Sequence, residues 1–125
     1  MDLTTRSQQA LSAAVRTAAE RGNPQVLPVH LALALLDDRE SLTWPVLQHL
    51  DVDPAGSSAR LQGIVDGLPA ATGASVGAPQ SSRELLTVLS NAEREARDRG
   101  DEYVSAEHLL LAVAAQPDIA AALGV

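Results

Sequence analysis

The chain has 125 residues, of which 46% are hydrophobic and only 2% aromatic, so it has room for a single core built from Leu, Val and Ala, which favours closely packed helices. Nine arginines and no lysine stand against sixteen acidic residues, and the net charge of −7 argues against nucleic acid and anionic membranes as partners. The absence of cysteine excludes disulfides, thiolate catalysis and cysteine-rich zinc sites.

Two helices are predicted in the first third of the chain. Thr5 followed by Gln8 fits a capping box, and apolar residues recur at helical spacing until Gly22, which predicts a helix over 5–21. Pro28 suits the first turn of a second helix, because a proline there loses no hydrogen bond. The body of this helix is apolar on nearly every side, so we expect it to be central and buried.

Two shorter helices follow. The third is indicated by apolar residues at helical spacing with Pro45 in the first turn, namely Leu42, Val46, Leu47 and Leu50. Asp53 and Pro54 are typical of the N-cap and first residue of a fourth helix. Its apolar residues are Leu61, Ile64, Val65 and Leu68.

Residues 69–80 are small, uncharged and rich in Gly and Pro, which predicts a linker between repeat one (4–68) and repeat two (81–125). Ser81 with Glu84 fits a capping box that opens a fifth helix, and Ser105 is the predicted cap of a sixth. Residues 119–125 match 46–52 after a five-residue deletion, which indicates a seventh helix. No counterpart of the fourth helix follows, so we expect either a trimmed polypeptide or a natural protein that continues further.

The second half of the chain repeats the first. A shift of 78 residues lays 6–38 over 84–116 with twelve identities. These are Leu11/Leu89, Ser12/Ser90, Ala14/Ala92, Arg16/Arg94, Ala18/Ala96, Arg21/Arg99, Gly22/Gly100, Val26/Val104, His30/His108, Leu31/Leu109, Leu33/Leu111 and Ala34/Ala112. Because each unit buries its apolar face against its neighbour, we predict an all-α fold: one domain over 1–125, built as a pseudo-twofold pair of four-helix repeats, the second truncated before its last helix.

No catalytic, cofactor or metal site is indicated. The chain lacks G-x-x-x-x-G-K-[ST] and G-x-G-x-x-G loops, so ATP hydrolysis cannot come from these residues. His30, His49 and His108 sit in no zinc motif, and two of them share one repeat position, which favours a structural role. We predict that the chain is not an enzyme, and a small hydrolase is disfavoured. With no secretory signal or long apolar stretch, a soluble, cytoplasmic protein is expected.

Three stretches of the sequence carry a resemblance to a known family. The resemblance covers essentially the whole chain. The segments 3–6, 26–31 and 104–111, the last reading Val-Ser-Ala-Glu-His-Leu-Leu-Leu, are similar to the doubled Clp N-terminal domain that fronts ring-forming AAA+ unfoldases. Within that family, Gly22-Asn23-Pro24, the stretch 68–73 and the stretch 82–85 look like those of ClpB-type disaggregases.

The resemblance implies a mobile domain that captures unfolded or aggregated polypeptides weakly for a hexameric motor. ATP and Mg would bind AAA+ modules downstream, and a DnaK-type chaperone system would serve the full machine. No cofactor is expected in this domain, and the isolated domain is expected to be a monomer.

The resemblance also implies site residues. Positions that the family associates with chaperone function fall on Thr4, Ser82, Asp101 and Glu107. We expect the last two at the surface.

In the family, apolar side chains of the fifth and sixth helices line a substrate groove. Here Asn91, Glu95 and His108 stand where apolar residues can occur. We expect an apolar patch for substrate binding to be formed instead by Leu86, Val88, Tyr103 and Leu110.

The alternative is a ClpC-type or free-standing domain that binds adaptors or phosphoarginine-marked proteins. It would need cationic or amide-rich pockets at the repeat ends. The acidic cluster of Asp101, Glu102 and Glu107 argues against such pockets.

Overall fold

The computed structural model describes residues 2–70 and 77–125, and within those ranges it contains seven helices and four two-residue strands. The first half contains β1 (Asp2–Leu3), α1 (Thr5–Glu20), β2 (Gln25–Val26), α2 (Pro28–Asp37), α3 (Thr43–His49) and α4 (Pro54–Asp66). The second half contains β3 (Gln80–Ser81), α5 (Arg83–Asp98), β4 (Tyr103–Val104), α6 (Ala106–Ala114) and α7 (Pro117–Leu123). The predicted all-α fold class is confirmed. Residues 71–76 of the predicted linker lie outside the described residues.

The two halves of the chain are joined through their short strands. β1 pairs with β4 and β2 pairs with β3, both in parallel, so each pair takes one strand from each half. The backbone N–H of Thr4 donates to the carbonyl of Val104, and that of Ser82 donates to the carbonyl of Val26, each at 3.0 Å. The shift of 78 residues carries the first bond onto the second, so the strand pairs obey the same pseudo-twofold relation as the helices. Helical periodicity does not predict these strands.

Helix α2 lies at the centre of the domain. Nine consecutive residues, from Pro28 to Leu36, are buried, and the helix packs against α1, α4 and α6. The prediction of a central, buried second helix is confirmed. Its counterpart α6 has an open face, since Leu111 is 44% exposed.

The caps of α1 and α5 each lie one residue from the predicted position, the first one residue before Thr5 and the second one residue after Ser81. Thr4 and Ser82 are the N-caps, and their side chains accept hydrogen bonds from the N–H groups of Ser7 and Leu85. Both have extended backbone, because each directly follows a strand that pairs with the other half. Ser81, the predicted cap of the fifth helix, instead ends β3 and is exposed.

The position of the α5 cap yields a stability prediction. Ser82→Ala is expected to lower the free energy of unfolding by about 1 kcal/mol, because the N–H of Leu85 loses its acceptor at a fully buried site. Ser81→Ala, one residue away and exposed, is the matched control and should change stability by less than about 0.5 kcal/mol. Urea unfolding followed by circular dichroism measures both. A larger effect at Ser81 would contradict the cap assignment.

Candidate functional site

His30 and His108 hold the loops that precede α2 and α6 through hydrogen bonds. The Nδ1 atom of each ring accepts a hydrogen bond from the N–H of the helix N-cap, Leu27 at 2.8 Å and Ser105 at 2.9 Å. The remaining proton is therefore on Nε2, which donates to Asn23 at 2.9 Å in repeat one and to Asp101 at 2.8 Å in repeat two. Both histidines are buried. This arrangement is structural and supports no nucleophile or metal site.

Asp101 thus has a positioning role in the loop before α6. It lies at the surface, as expected, and its side chain is 49% exposed while that of His108 is 6% exposed. Its backbone N–H also donates to the carbonyl of Ala96 at 2.8 Å, which ends α5. Asp101 therefore sets the path of the chain into the first turn of α6.

Thr4 connects the start of α1 with the other repeat. Its hydroxyl donates to Ser7 Oγ at 2.9 Å, and Ser7 Oγ donates to the carbonyl of Val104 at 2.9 Å. Thr4 and Glu107 line one shallow depression, together with Arg6 and Glu40. Ser82 is the pseudo-twofold counterpart of Thr4 and is fully buried, so of the two caps only Thr4 is partly accessible.

Glu107 lies in the first turn of α6, where a carboxylate complements the helix dipole. It is exposed and makes no hydrogen bond or ion pair with the described part of the chain. The Arg6 guanidinium, in the same depression, is bound to Asp38 at 2.7 Å and approaches Glu40 at 3.7 Å. Glu107 therefore remains available as an unpaired negative charge.

An apolar groove opens beside Glu107, between α3 and α6. We call it the α3–α6 groove, and its lining consists of Leu42, Thr43, Val46, Arg99, Ala106, Glu107, Leu110 and Leu111. This part has a volume of about 270 Å³, below the range of typical small-molecule sites and suited to a few inserted side chains. The groove continues over Leu50 and Ala114 towards the end of α7. It reaches the Thr4 depression at its other end, because Leu42 and Glu107 line both.

The residues predicted to form an apolar patch separate in the structure. Val88 is fully buried and belongs to the core, so it cannot contribute to a surface patch. Leu86 and Tyr103 are 56% and 51% exposed on α5 and β4. Leu110 alone of the four lines the α3–α6 groove. The surface between α5 and α6 is polar on its α5 side, where Asn91, Arg94, Glu95 and Asp98 lie.

Sequence reasoning did not identify the exposed stripe of α3. Leu42, Val46 and Leu50 recur every four residues and are 52%, 40% and 53% exposed. That spacing indicates an apolar helix face but not whether a neighbour covers it. Within the described residues there is no cluster of potential metal ligands, and no helix is long and apolar enough to cross a membrane.

Comparison with known sequences defines the class of protein. Residues 2–123 match the Clp repeat (R) N-terminal domain family, and the chain belongs to that family. The particular relatives are ClpB chaperones: the chain is similar to the N-terminal region of the chaperone protein ClpB of Mycobacterium bovis, with 43% identity over 111 residues. This match covers 89% of the chain but only 13% of the relative's length.

Solved structures agree on the fold. The Hsp104 N-terminal domain from Candida albicans superimposes with a TM-score of 0.89 at 18% identity, covering 99% of this chain and 81% of that one. A ClpV N-domain in complex with a VipB peptide gives a TM-score of 0.75 at 20% identity, covering 94% of this chain and 71% of that one.

The Asp101–His108 contact yields a prediction. Asp101→Ala should lower the free energy of unfolding by about 1 to 3 kcal/mol, because the buried Nε2–H of His108 loses its acceptor. Asp101→Asn keeps a carbonyl oxygen there, as Asn23 does for His30, and should recover most of the loss. Chemical denaturation measures both variants. Equal losses in the two variants would mean that charge, and not the hydrogen bond, stabilises the loop.

A second prediction concerns pH. Burial lowers the pKa of His30 below its usual value, with the nearby Arg21 charge acting in the same direction. Below about pH 6.5 the imidazole of His30 is therefore protonated more readily in the unfolded chain than in the folded one. This contribution to the free energy of unfolding is fully present above about pH 6.5 and is lost as the pH falls below that value. The loss is limited to about 1.4 kcal/mol per pH unit for one proton. Denaturation between pH 5 and pH 8 should show a shallower pH dependence of the free energy of unfolding in His30→Gln than in the parent chain.

Proposed function

We propose that this chain is the client-binding N-terminal domain of a ClpB-type disaggregase, and that it holds apolar segments of unfolded or aggregated polypeptides in the α3–α6 groove. The observation that carries the proposal is the exposure of aliphatic side chains along facing helices, Val46 and Leu50 on α3 and Leu111 on α6. An unfolded segment that covers them removes apolar surface from water on both sides. The domain needs no catalytic group for this role.

The same geometry predicts weak binding. A few partly exposed side chains bury roughly a few hundred Å² when covered, and at about 25 cal/mol per Å² this gain is largely offset by the cost of ordering a flexible client. Weak capture suits a collector that must pass its client onward. Several copies around a ring would raise the effective concentration without tightening any single site.

Similarity to ClpB chaperones supports this assignment, as does a related ClpV N-domain that was solved with a peptide. For a full-length protein we propose a hexamer formed by downstream AAA+ modules that bind ATP and Mg, and cooperation with a DnaK-type chaperone system. Glu107 would meet clients at the mouth of the groove. Thr4, Ser82 and Asp101 would act by holding α1, α5 and the loop before α6 in place.

The alternative, recognition of phosphoarginine by a ClpC-type domain, has less support. A phosphate needs a free cation, but Arg6, beside Thr4 and Glu107, is engaged by Asp38. The carboxylates of Glu40 and Glu107 in the same depression would repel a phosphate. Tight, salt-sensitive binding of a phosphoarginine peptide would reverse this preference.

The groove is tested by Leu111→Gln, with Leu86→Gln on α5 as the matched control of similar exposure. A reduced and carboxymethylated model protein, which cannot refold, serves as the client. Leu111→Gln should weaken its Kd by about fivefold, because roughly 1 kcal/mol of apolar burial is lost. Leu86→Gln should leave the Kd unchanged.

Binding can be followed by NMR and by the fluorescence of Trp44, the only tryptophan in the sequence. Trp44 lies on α3, which forms one side of the groove, and its indole N–H donates to the carbonyl of Leu36 at 2.7 Å. If Leu86→Gln weakens binding and Leu111→Gln does not, clients bind on α5 instead and the groove assignment is wrong.

A further inference from the structure

A depression of about 290 Å³ lies between the starts of α2, α5 and α7 and the end of α4. Its apolar wall is formed by the first residues of α2 together with Ile64 and Leu68, and its polar residues are Glu84, Gln116 and Asp118. We call it the Glu84 depression. One of its walls is the fourth helix of repeat one, so it lies against a repeat whose four helices are all described.

The Glu84 depression is the pseudo-twofold counterpart of the Thr4 depression. The shift of 78 residues carries the segment 27–29, which lines the Glu84 depression, onto the segment 105–107, which lines the Thr4 depression. The same shift relates Glu84 to Arg6, and each of these two residues lines its own depression. The Thr4 depression therefore serves as an internal reference for what the Glu84 depression can hold.

The ion pair of the Thr4 depression has no equivalent in the Glu84 depression. The guanidinium of Arg6 donates to Asp38 at 2.7 Å and approaches Glu40 at 3.7 Å. The residues 78 positions after Arg6 and Asp38 are Glu84 and Gln116. Repeat two thus keeps hydrogen-bond acceptors around this depression but has a carboxylate in place of the cation.

No side chain of the described residues neutralises the two carboxylates of the Glu84 depression. Glu84 and Asp118 are exposed, and neither makes a hydrogen bond or ion pair within residues 2–70 and 77–125. The chain has no lysine, all nine arginines lie in the described ranges, and residues 71–76 carry no charged side chain. Unmatched negative charge therefore stands beside an apolar wall.

We propose that the Glu84 depression binds an arginine side chain of a partner polypeptide. The guanidinium lies between the carboxylates of Glu84 and Asp118, with the side-chain oxygen of Gln116 as a further acceptor. The aliphatic stem of the arginine covers Ile64 and Leu68, which are half-buried. This inference does not rest on the proposed function, because no residue of the Glu84 depression lines the α3–α6 groove.

The chemistry of the depression favours arginine over other side chains. An arginine combines an aliphatic stem, which packs on apolar surface, with a planar guanidinium that presents several N–H donors to carboxylates and amides. A lysine supplies the charge but not the planar set of donors. The phosphate of phosphoarginine would be repelled by the two carboxylates. The net charge of −7 also attracts cationic segments to this chain.

The test titrates the 125-residue chain with a short acetylated peptide that has one arginine between two leucines. The amide NMR signals at the starts of α2, α5 and α7 and at the end of α4 are expected to shift. A peptide with citrulline, in which a neutral urea group replaces the guanidinium, should bind about threefold to fivefold more weakly because it cannot form the ion pair. A lysine peptide should also bind more weakly than the arginine peptide.

The carboxylates are tested by combining Glu84→Gln with Asp118→Asn. These changes remove both charges and keep the sizes of the side chains, so the preference for arginine over citrulline should disappear. Glu20→Gln combined with Glu102→Gln is the matched control, since it changes the net charge equally at exposed positions outside the depression. The control should keep the preference, and circular dichroism checks that both chains fold.

A second variant, Glu84→Arg, tests the internal reference. It places an arginine at the position that Arg6 has in the Thr4 depression, next to Asp118 and Gln116. The new side chain should occupy the depression in cis and prevent the arginine peptide from binding, with the far-ultraviolet circular dichroism unchanged. A Glu84→Arg chain that folds and binds the peptide with the Kd of the parent would overturn the proposal.

Other results would also overturn it: equal Kd values for the arginine and citrulline peptides, an arginine preference that survives the double substitution, tighter binding of a phosphoarginine peptide, or shifts confined to α3 and α6. Self-association that blocks the peptide would assign the depression to a second copy. Loss of peptide binding in a polypeptide that continues past Val125 would assign it to a segment in cis, and either outcome contradicts the proposal. Binding of the unfolded client to the α3–α6 groove is measured separately and can succeed or fail without changing these readouts.

Discussion

The exchange of short strands between the two halves is the constraint on which the rest of the structure depends. Thr4 and Ser82 each donate a backbone hydrogen bond to the opposite repeat, at Val104 and Val26. Because both residues are also N-caps, the same few atoms fix the start of α1 and α5 and the docking of the halves. Single residues at these junctions therefore affect the whole domain.

The surface that we propose for client binding lies where the described part of the chain departs from the pseudo-twofold symmetry. Repeat one buries its inner helix under α4, whereas the corresponding faces of α6 and α3 are open in the described structure. The exposed stripe of Val46 and Leu50 and the exposed face of Leu111 are therefore faces built for helix packing that have no partner here.

Charge distinguishes the repeats in a second way. The acceptor for the inner-helix histidine is the neutral Asn23 in repeat one and the carboxylate of Asp101 in repeat two. Val29 is likewise replaced by Glu107 at the groove. The carboxylates implied by the family resemblance thus lie in the repeat that is open, one holding the loop before α6 and the other free at the mouth of the groove. Asp101 therefore has a structural contact within repeat two, whereas Glu107 is exposed.

The sequence by itself determined the helices, their order, the buried α2 and the internal repeat, because apolar periodicity and caps such as Asp53-Pro54 are local properties. It missed the strands and placed one cap a residue late, at Thr5, and the other a residue early, at Ser81, because Thr4 and Ser82 become caps only through backbone bonds to residues about a hundred and about fifty positions away. It also indicated Thr4, Asp101 and Glu107 as site residues, through resemblance. Only the tertiary structure decided that Val88 is core, that Ser82 is buried and that the α3 stripe is open. Spacing along one helix marks an apolar face, whereas its exposure depends on whether a second helix lies against it.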